Sequence, residues 1–144
     1  GARFVAGREP LAPVVRLDAP IVQLRTIRAG ETVGYGAAWT AGRTSRIAVV
    51  SVGYADGYIR RAGSTDRKTG APIRVNGVLC QPAGRVSMDL LAIDVTDAGA
   101  VGPGDMATLI GDGIGLDDVA EAAGTIGYEI LTSLGRRYHR RYLD

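Results

Sequence analysis

The sequence predicts a mainly all-β fold: a closed or nearly closed β-barrel with one or two short helices near the C-terminus. Three observations point there. Short runs of β-branched and aliphatic residues recur about every ten residues, punctuated by 21 glycines and by turn steps such as Asn76-Gly77 and Pro103-Gly104. Helical character is confined to a stretch after Gly115. Several short strands at this spacing favour a barrel, because closure removes the unpaired edges on which sheets aggregate.

Taken in order, the strands are expected at residues 21–27, 46–52, 73–75, 78–81, 90–95 and 106–110. The 73–75 and 78–81 runs flank Asn76-Gly77, a standard two-residue hairpin signal. Residues 60–70, "RRAGSTDRKTG", are polar and read as the most exposed loop. From residue 116 the pattern changes. Asp117, Asp118 and Glu121 crowd the first turns and Gly124 follows the last apolar position, which predicts a helix over 116–123. A second short helix is expected over 129–134, closed by Gly135, and the tail 137–143 is expected as strand or extended chain. No internal repeat and no second domain is visible.

Composition excludes several classes. At 144 residues the chain can bury a core without staples, and 46% apolar against 22% charged residues is ordinary globular usage. No apolar run approaches the roughly 20 residues of a membrane span. A single cysteine, Cys80, excludes an intrachain disulfide and a cysteine-based metal site, and fits a reducing compartment. The net charge of +2 is nearly balanced, and the one basic run, "RRYHRR" at residues 136–141, reads better as a solvated tail or subunit contact than as a nucleic-acid surface. His139 is the only histidine, which argues against a Ser-His-Asp set or a histidine-rich metal centre. No metal site is expected.

Candidate site residues come from glycine-tyrosine steps and their surroundings. Tyr35 stands between Gly34 and Gly36 in "GETVGYGAAWTA", where glycine leaves backbone clearance. Tyr54 ends a strand in "SVGYADGYIRR", and Arg60 follows six residues later, a guanidinium suited to a carboxylate. Met88 and Asp89 sit at a bend before an apolar strand in "AGRVSMDLLAIDV", and Tyr128 opens the last helical segment. Each has a bland alternative as a packed or turn residue. The one lysine, Lys68, lies in the polar loop, and an exposed amine near its usual pKa of about 10.4 is a poor candidate for imine chemistry.

In order, "AGETVGYGAAWTA", "AVVSVGYADGYIRR", "AGRVSMDLLAIDVTD", "VGPGDMATLIG" and "LDDVAEAAGTIGYEILTSLGRRYHRRY" resemble the C-terminal domain of bacterial alanine racemases, from about Leu11 to Tyr142. The resemblance implies that residues 11–144 form the C-terminal β-barrel domain. Residues 1–10 would then be a linker or the exit from a preceding (β/α)8 barrel. It implies interconversion of L- and D-alanine with pyridoxal 5'-phosphate, held on a lysine of that absent barrel. It further implies a cytoplasmic head-to-tail homodimer feeding peptidoglycan synthesis, in which this domain completes the site on the other subunit's barrel.

By position, Tyr35 matches the tyrosine acid/base, Tyr54 and Arg60 line the site entrance, and Asp89 lies near it. The backbone amide of Met88 matches a contact to the substrate carboxylate, and Tyr128 a donor to the cofactor phosphate. Ser87 and Ile59 depart from the cysteine and proline common in relatives, and wider-specificity amino-acid racemases share the architecture. The isolated chain is expected to be inactive. The competing expectation is a stand-alone β-barrel binding or assembly module without chemistry.

Overall fold

The computed structural model describes residues 13–143. In chain order the strands are β1 (Leu17–Ile27), β2 (Thr32–Val33), β3 (Trp39–Thr40), β4 (Ser45–Val50), β5 (Ile73–Val75), β6 (Val78–Pro82), β7 (Leu91–Asp94) and β8 (Met106–Ile110). Two helices follow, α1 (Leu116–Ala123) and α2 (Gly127–Ser133). Six strands close a barrel in the order β1-β4-β7-β6-β5-β8, every neighbouring pair antiparallel. The expected barrel and the helix at 116–123 are both present. The assignment of residues 1–10 to a linker lies outside the described residues.

Alternation along the strands fills the barrel. Leu17, Ala19 and Ile21 of β1 point inward and meet Val50, Ile73, Leu91 and Leu109 in one core. Helix α1 closes one side with Val119, Ala120 and Ala123, and α2 adds Ile130. The Asp118 carboxylate accepts the Gly115 amide at 2.8 Å, and Gly124 ends α1 in the left-handed region at φ 69°. A smaller core of Ile27, Ala41, Ile47 and Ala83 lies beneath Val33 and Trp39 and seats the β2–β3 hairpin on the barrel.

Several sequence expectations are corrected. β1 begins at Leu17 rather than residue 21, because Pro20 stands where the strand passes from β8 to β4 and a bulge follows between Ile21 and Gln23. A proline is tolerated at such a junction, where the ladder is already interrupted. Helix α2 starts at Gly127, and it does not end on a left-handed Gly135: that amide donates to the Asp56 carbonyl at 2.8 Å instead. The tail 137–143 carries no strand and turns back, with Arg140 donating to the Leu134 carbonyl at 3.2 Å. Residues 60–70 are not the most exposed loop, since a 3-10 turn at Arg60–Ala62 opens it and Ala62, Gly63, Ser64 and Gly70 are buried.

Candidate active-site face

Tyr35 and Tyr54 are brought by their backbones to the segment that holds Met88 and Asp89, the bend between β6 and β7 at residues 84–89. Tyr35 sits at the tip of the β2–β3 hairpin, whose turn is built from left-handed Gly34, Gly36 and Ala37. Gly34 packs on this bend so closely that a Cβ there would touch the Arg85 amide nitrogen at 3.4 Å, and a Cβ on Gly84 would lie 2.9 Å from the Val33 carbonyl oxygen. The Arg85 guanidinium donates to the Tyr35 carbonyl at 3.4 Å. The clearance around Tyr35 thus serves a backbone-to-backbone approach.

Tyr54 reaches the same bend from the other side. It opens a 3-10 turn, Tyr54–Asp56, and its amide donates to the Ser87 carbonyl at 3.0 Å while that of Ala55 donates to Met88 at 2.9 Å. The Met88 carbonyl is therefore consumed; among the described residues its N–H has no hydrogen-bond partner. Gly63 and Ser64 complete the junction, with the Ser64 amide on the Gly84 carbonyl at 2.9 Å, and carry Arg60 alongside.

Asp56 organises this region from beneath. Buried, it accepts the Gly53 amide at 2.8 Å and forms an ion pair with Arg137 Nε at 3.1 Å, and Arg137 also donates to Asp89 at 2.8 Å. The Asp89 hydrogen bond, then the Asp56 charge, raise the Arg137 pKa further above its ordinary value. Asp89 is thus engaged within the chain. Asp56 and Arg137 were not recognised from sequence, because they lie far apart along it and each reads alone as a turn acid or a tail cation.

Tyr128 stands apart. It occupies the first turn of α2, near the start of α1, while the far end of that helix packs Ser133 against Gly57. Rise along a helix puts Tyr128 about 7 Å along the axis from that contact. Tyr35, Tyr54, Met88 and Tyr128 are exposed at 70%, 41%, 54% and 69%, so each presents its side chain to solvent in this chain.

A cleft of about 270 Å³ is lined by Arg60, Arg61, Lys68, Arg85, Glu121 and Gly124 among others. Lys68 is less isolated than the sequence suggests. Its ammonium donates to the Arg61 carbonyl, and burial first, then the Arg61 charge, lower its pKa. Among the described residues no group of histidine, cysteine and acidic side chains could hold a metal ion, and no helix is long and apolar enough to cross a membrane.

The family model described as "Alanine racemase, C-terminal domain" matches residues 14–142. The chain belongs to that family. Relatives include the alanine racemase of Methylobacterium nodulans, 54% identical over 137 residues, covering 94% of this chain and 36% of that protein. A catabolic alanine racemase of Agrobacterium fabrum is 46% identical across 100% of this chain and 36% of its own length. Among solved structures, biosynthetic alanine racemase from Pseudomonas aeruginosa superposes with a TM-score of 0.82 at 46% identity, covering 90% of this chain and 35% of that one. Alanine racemase from Bartonella henselae with covalently bound pyridoxal phosphate gives 0.86 at 38% identity, covering 95% and 37%. The chain thus spans little more than a third of the length of the proteins it matches.

Toward pyridoxal phosphate the described residues offer a hydroxyl donor and no unengaged amine. The exposed Tyr128 hydroxyl is free to face a phosphate held elsewhere, whereas the one amine side chain, Lys68, is turned to the Arg61 carbonyl.

Proposed function

We propose that this chain is the part of an alanine racemase that supplies one of two proton carriers, the Tyr35 phenol, to a site shared with a barrel domain. The observation that supports the reading is that the hairpin carrying the exposed Tyr35 packs on the same bend that holds the unpaired Met88 amide. Racemisation needs a proton to leave one face of the α-carbon and arrive on the other, which a single base does poorly. Pyridoxal phosphate, when bound, withdraws electrons from the bond that ionises.

The remaining roles belong to this chain's side chains and amides. Tyr35 holds or releases a proton on one face of the substrate α-carbon. The Met88 N–H points a donor at the substrate carboxylate, and Arg60 draws that carboxylate inward as Tyr54 narrows the approach. Asp89, tied to Arg137, fixes the rim, and Tyr128 donates to the cofactor phosphate.

Intact chains would pair head to tail as a cytoplasmic homodimer, burying the exposed tyrosines against the partner's barrel and supplying D-alanine for peptidoglycan. Racemisation of L-alanine by the intact protein, with none from the 144-residue chain alone, is the expected result. D-Alanine formed by the chain alone would overturn the shared-site reading, and an intact protein inert on alanine would overturn the reaction.

A further inference from the structure

The hairpin that carries Tyr35 is a short element. Each of its strands has two residues, paired as Thr32–Thr40 and Val33–Trp39, with the Gly30 amide on the Ala41 carbonyl at 2.7 Å and the Ala41 amide on the Glu31 carbonyl at 2.9 Å at its base, and three residues of its turn have positive φ. Among the described residues, the one side-chain hydrogen bond to its tip, from Arg85 to the Tyr35 carbonyl, is long at 3.4 Å. A two-stranded hairpin alone is marginal in water, so this one depends on what ties it to the barrel: the small core beneath Val33 and Trp39, the Gly34–Gly84 approach, and whatever holds the limb after the turn. A phenol that must meet an α-carbon within a few tenths of an ångström needs firmer support.

On the limb after the turn, further support comes from Asp66, in the polar stretch 60–70. Its amide donates to the Ala38 carbonyl at 2.9 Å, its Oδ1 accepts the Thr40 amide at 2.7 Å, and its Oδ2 accepts the Thr40 hydroxyl at 2.9 Å. These three bonds bracket Trp39, so Asp66 acts as a one-residue third strand on the outer edge of β3. Asp66 is itself fixed, because Thr65 and Lys68 exchange backbone hydrogen bonds of 2.8 and 3.1 Å across it. The same stretch is anchored to the barrel where the Ser64 hydroxyl accepts the Gly70 amide at 2.9 Å and the Ser64 amide meets Gly84. Tyr35 is thus gripped through Arg85 on its own carbonyl and through Asp66 on the limb three to five residues later.

We propose that Asp66 is a positioning residue for Tyr35: its carboxylate and amide clamp Ala38–Thr40 and set where the phenol stands. This rests on the reading of Tyr35 as a proton carrier. The clamp works through acceptor geometry rather than charge, so an asparagine can replace it. In Asp66→Asn the side-chain oxygen still accepts the Thr40 amide, and the new NH2 donates to the Thr40 hydroxyl. Alanine would keep only the backbone bond to Ala38.

Two experiments test this. In the 144-residue chain the single tryptophan, Trp39, lies inside the clamp, so its fluorescence reports the hairpin without any cofactor. Asp66→Ala increases acrylamide quenching of Trp39, Thr40→Val has a smaller effect, and Asp66→Asn leaves it near wild type. In the intact enzyme Asp66→Ala lowers kcat by roughly 10- to 100-fold with KM moved by less than about threefold, and Asp66→Asn restores it. The α-deuterium isotope effect grows for only one enantiomer, the one whose proton the phenol takes, whereas general destabilisation would treat both alike.

Wild-type quenching and kcat in Asp66→Ala, equal damage from alanine and asparagine, or isotope effects shifted equally for both enantiomers would each overturn the proposal. Tyr35→Phe measured alongside separates the two layers. If it is inactive while Asp66→Ala is normal, the clamp is wrong. If it is fully active, the proton-carrier reading is wrong, and Trp39 quenching still decides whether Asp66 holds the hairpin.

Discussion

Replacing Gly53 by alanine tests the junction that brings Tyr54 to Met88. The backbone there, φ −155° and ψ −170°, is extended and open to any residue, so the substitution carries no conformational penalty. The obstacle is steric. A Cβ on Gly53 would lie 2.1 Å from the Met88 carbonyl oxygen, 2.3 Å from its carbonyl carbon and 2.5 Å from the Asp89 nitrogen, all backbone atoms.

Relief requires the two segments to part by about 1 Å to reach ordinary van der Waals contact. That stretches the Tyr54–Ser87 and Ala55–Met88 hydrogen bonds, now 3.0 and 2.9 Å, beyond useful length. Overpacking costs about 1–3 kcal/mol and each lost bond about 1 kcal/mol, together about 3–5 kcal/mol. For a chain of this size that lowers Tm by roughly 10 °C or more. Thermal unfolding followed by circular dichroism gives the shift. Gly42→Ala is the control: nothing lies within 4 Å of its Cβ and its φ is not positive, so its stability stays within about 0.5 kcal/mol of wild type. A Gly53→Ala melt within about 2 °C of wild type would refute the close-approach argument.

Other consequences are equally accessible. Asp56→Ala strips the buried Gly53 amide of its carboxylate acceptor and cuts one of the two ties of Arg137, costing about 2–3 kcal/mol by urea unfolding, with Asp56→Asn recovering part of it. The buried Cys80 thiol is pushed up to about 11 from an ordinary 9.0, by burial first and then by Asp94 and Asp97. The folded chain therefore holds that proton more tightly than the unfolded one. Its contribution is whole below about pH 9 and is lost as pH rises towards 11, by up to about 2 kcal/mol. Tyr58 and Tyr138, raised chiefly by burial, add losses in the same direction at higher pH. Urea midpoints from pH 8 to 10 should fall in wild type and stay flatter in Cys80→Ala; parallel curves would contradict the assignment.

Much of the barrel was legible because its strands obey local rules. Short runs of β-branched and aliphatic residues mark β4 to β8, Asn76-Gly77 marks the β5–β6 turn, and acidic residues before Gly124 mark α1. The first half of β1 escaped because Pro20 breaks the strand pattern where the chain changes neighbours. The β2–β3 hairpin escaped because two-residue strands have no period to detect, although the glycines around Tyr35 marked its turn.

Within the site, the residue types at Tyr35, Tyr54, Arg60, Met88, Asp89 and Tyr128 stood out through recurring motifs. What binds them is long-range: Gly53 against Met88, Asp56 with Arg137, and Asp66 with Thr40. Such pairs leave no local trace in one sequence. The glycines did leave one, since Gly53, Gly63 and Gly84 are the points where backbones touch, but sequence alone could not say which segment each one meets.

The proposed reaction depends most heavily on the phenol of Tyr35. The direct measurement is exchange of the alanine α-hydrogen with solvent deuterium by the intact enzyme, wild type against Tyr35→Phe, started separately from L- and D-alanine. With Tyr35 as one proton carrier, the variant loses racemisation by several orders of magnitude and retains α-hydrogen exchange with retention from one enantiomer only. Undiminished racemisation and exchange from both enantiomers would contradict it.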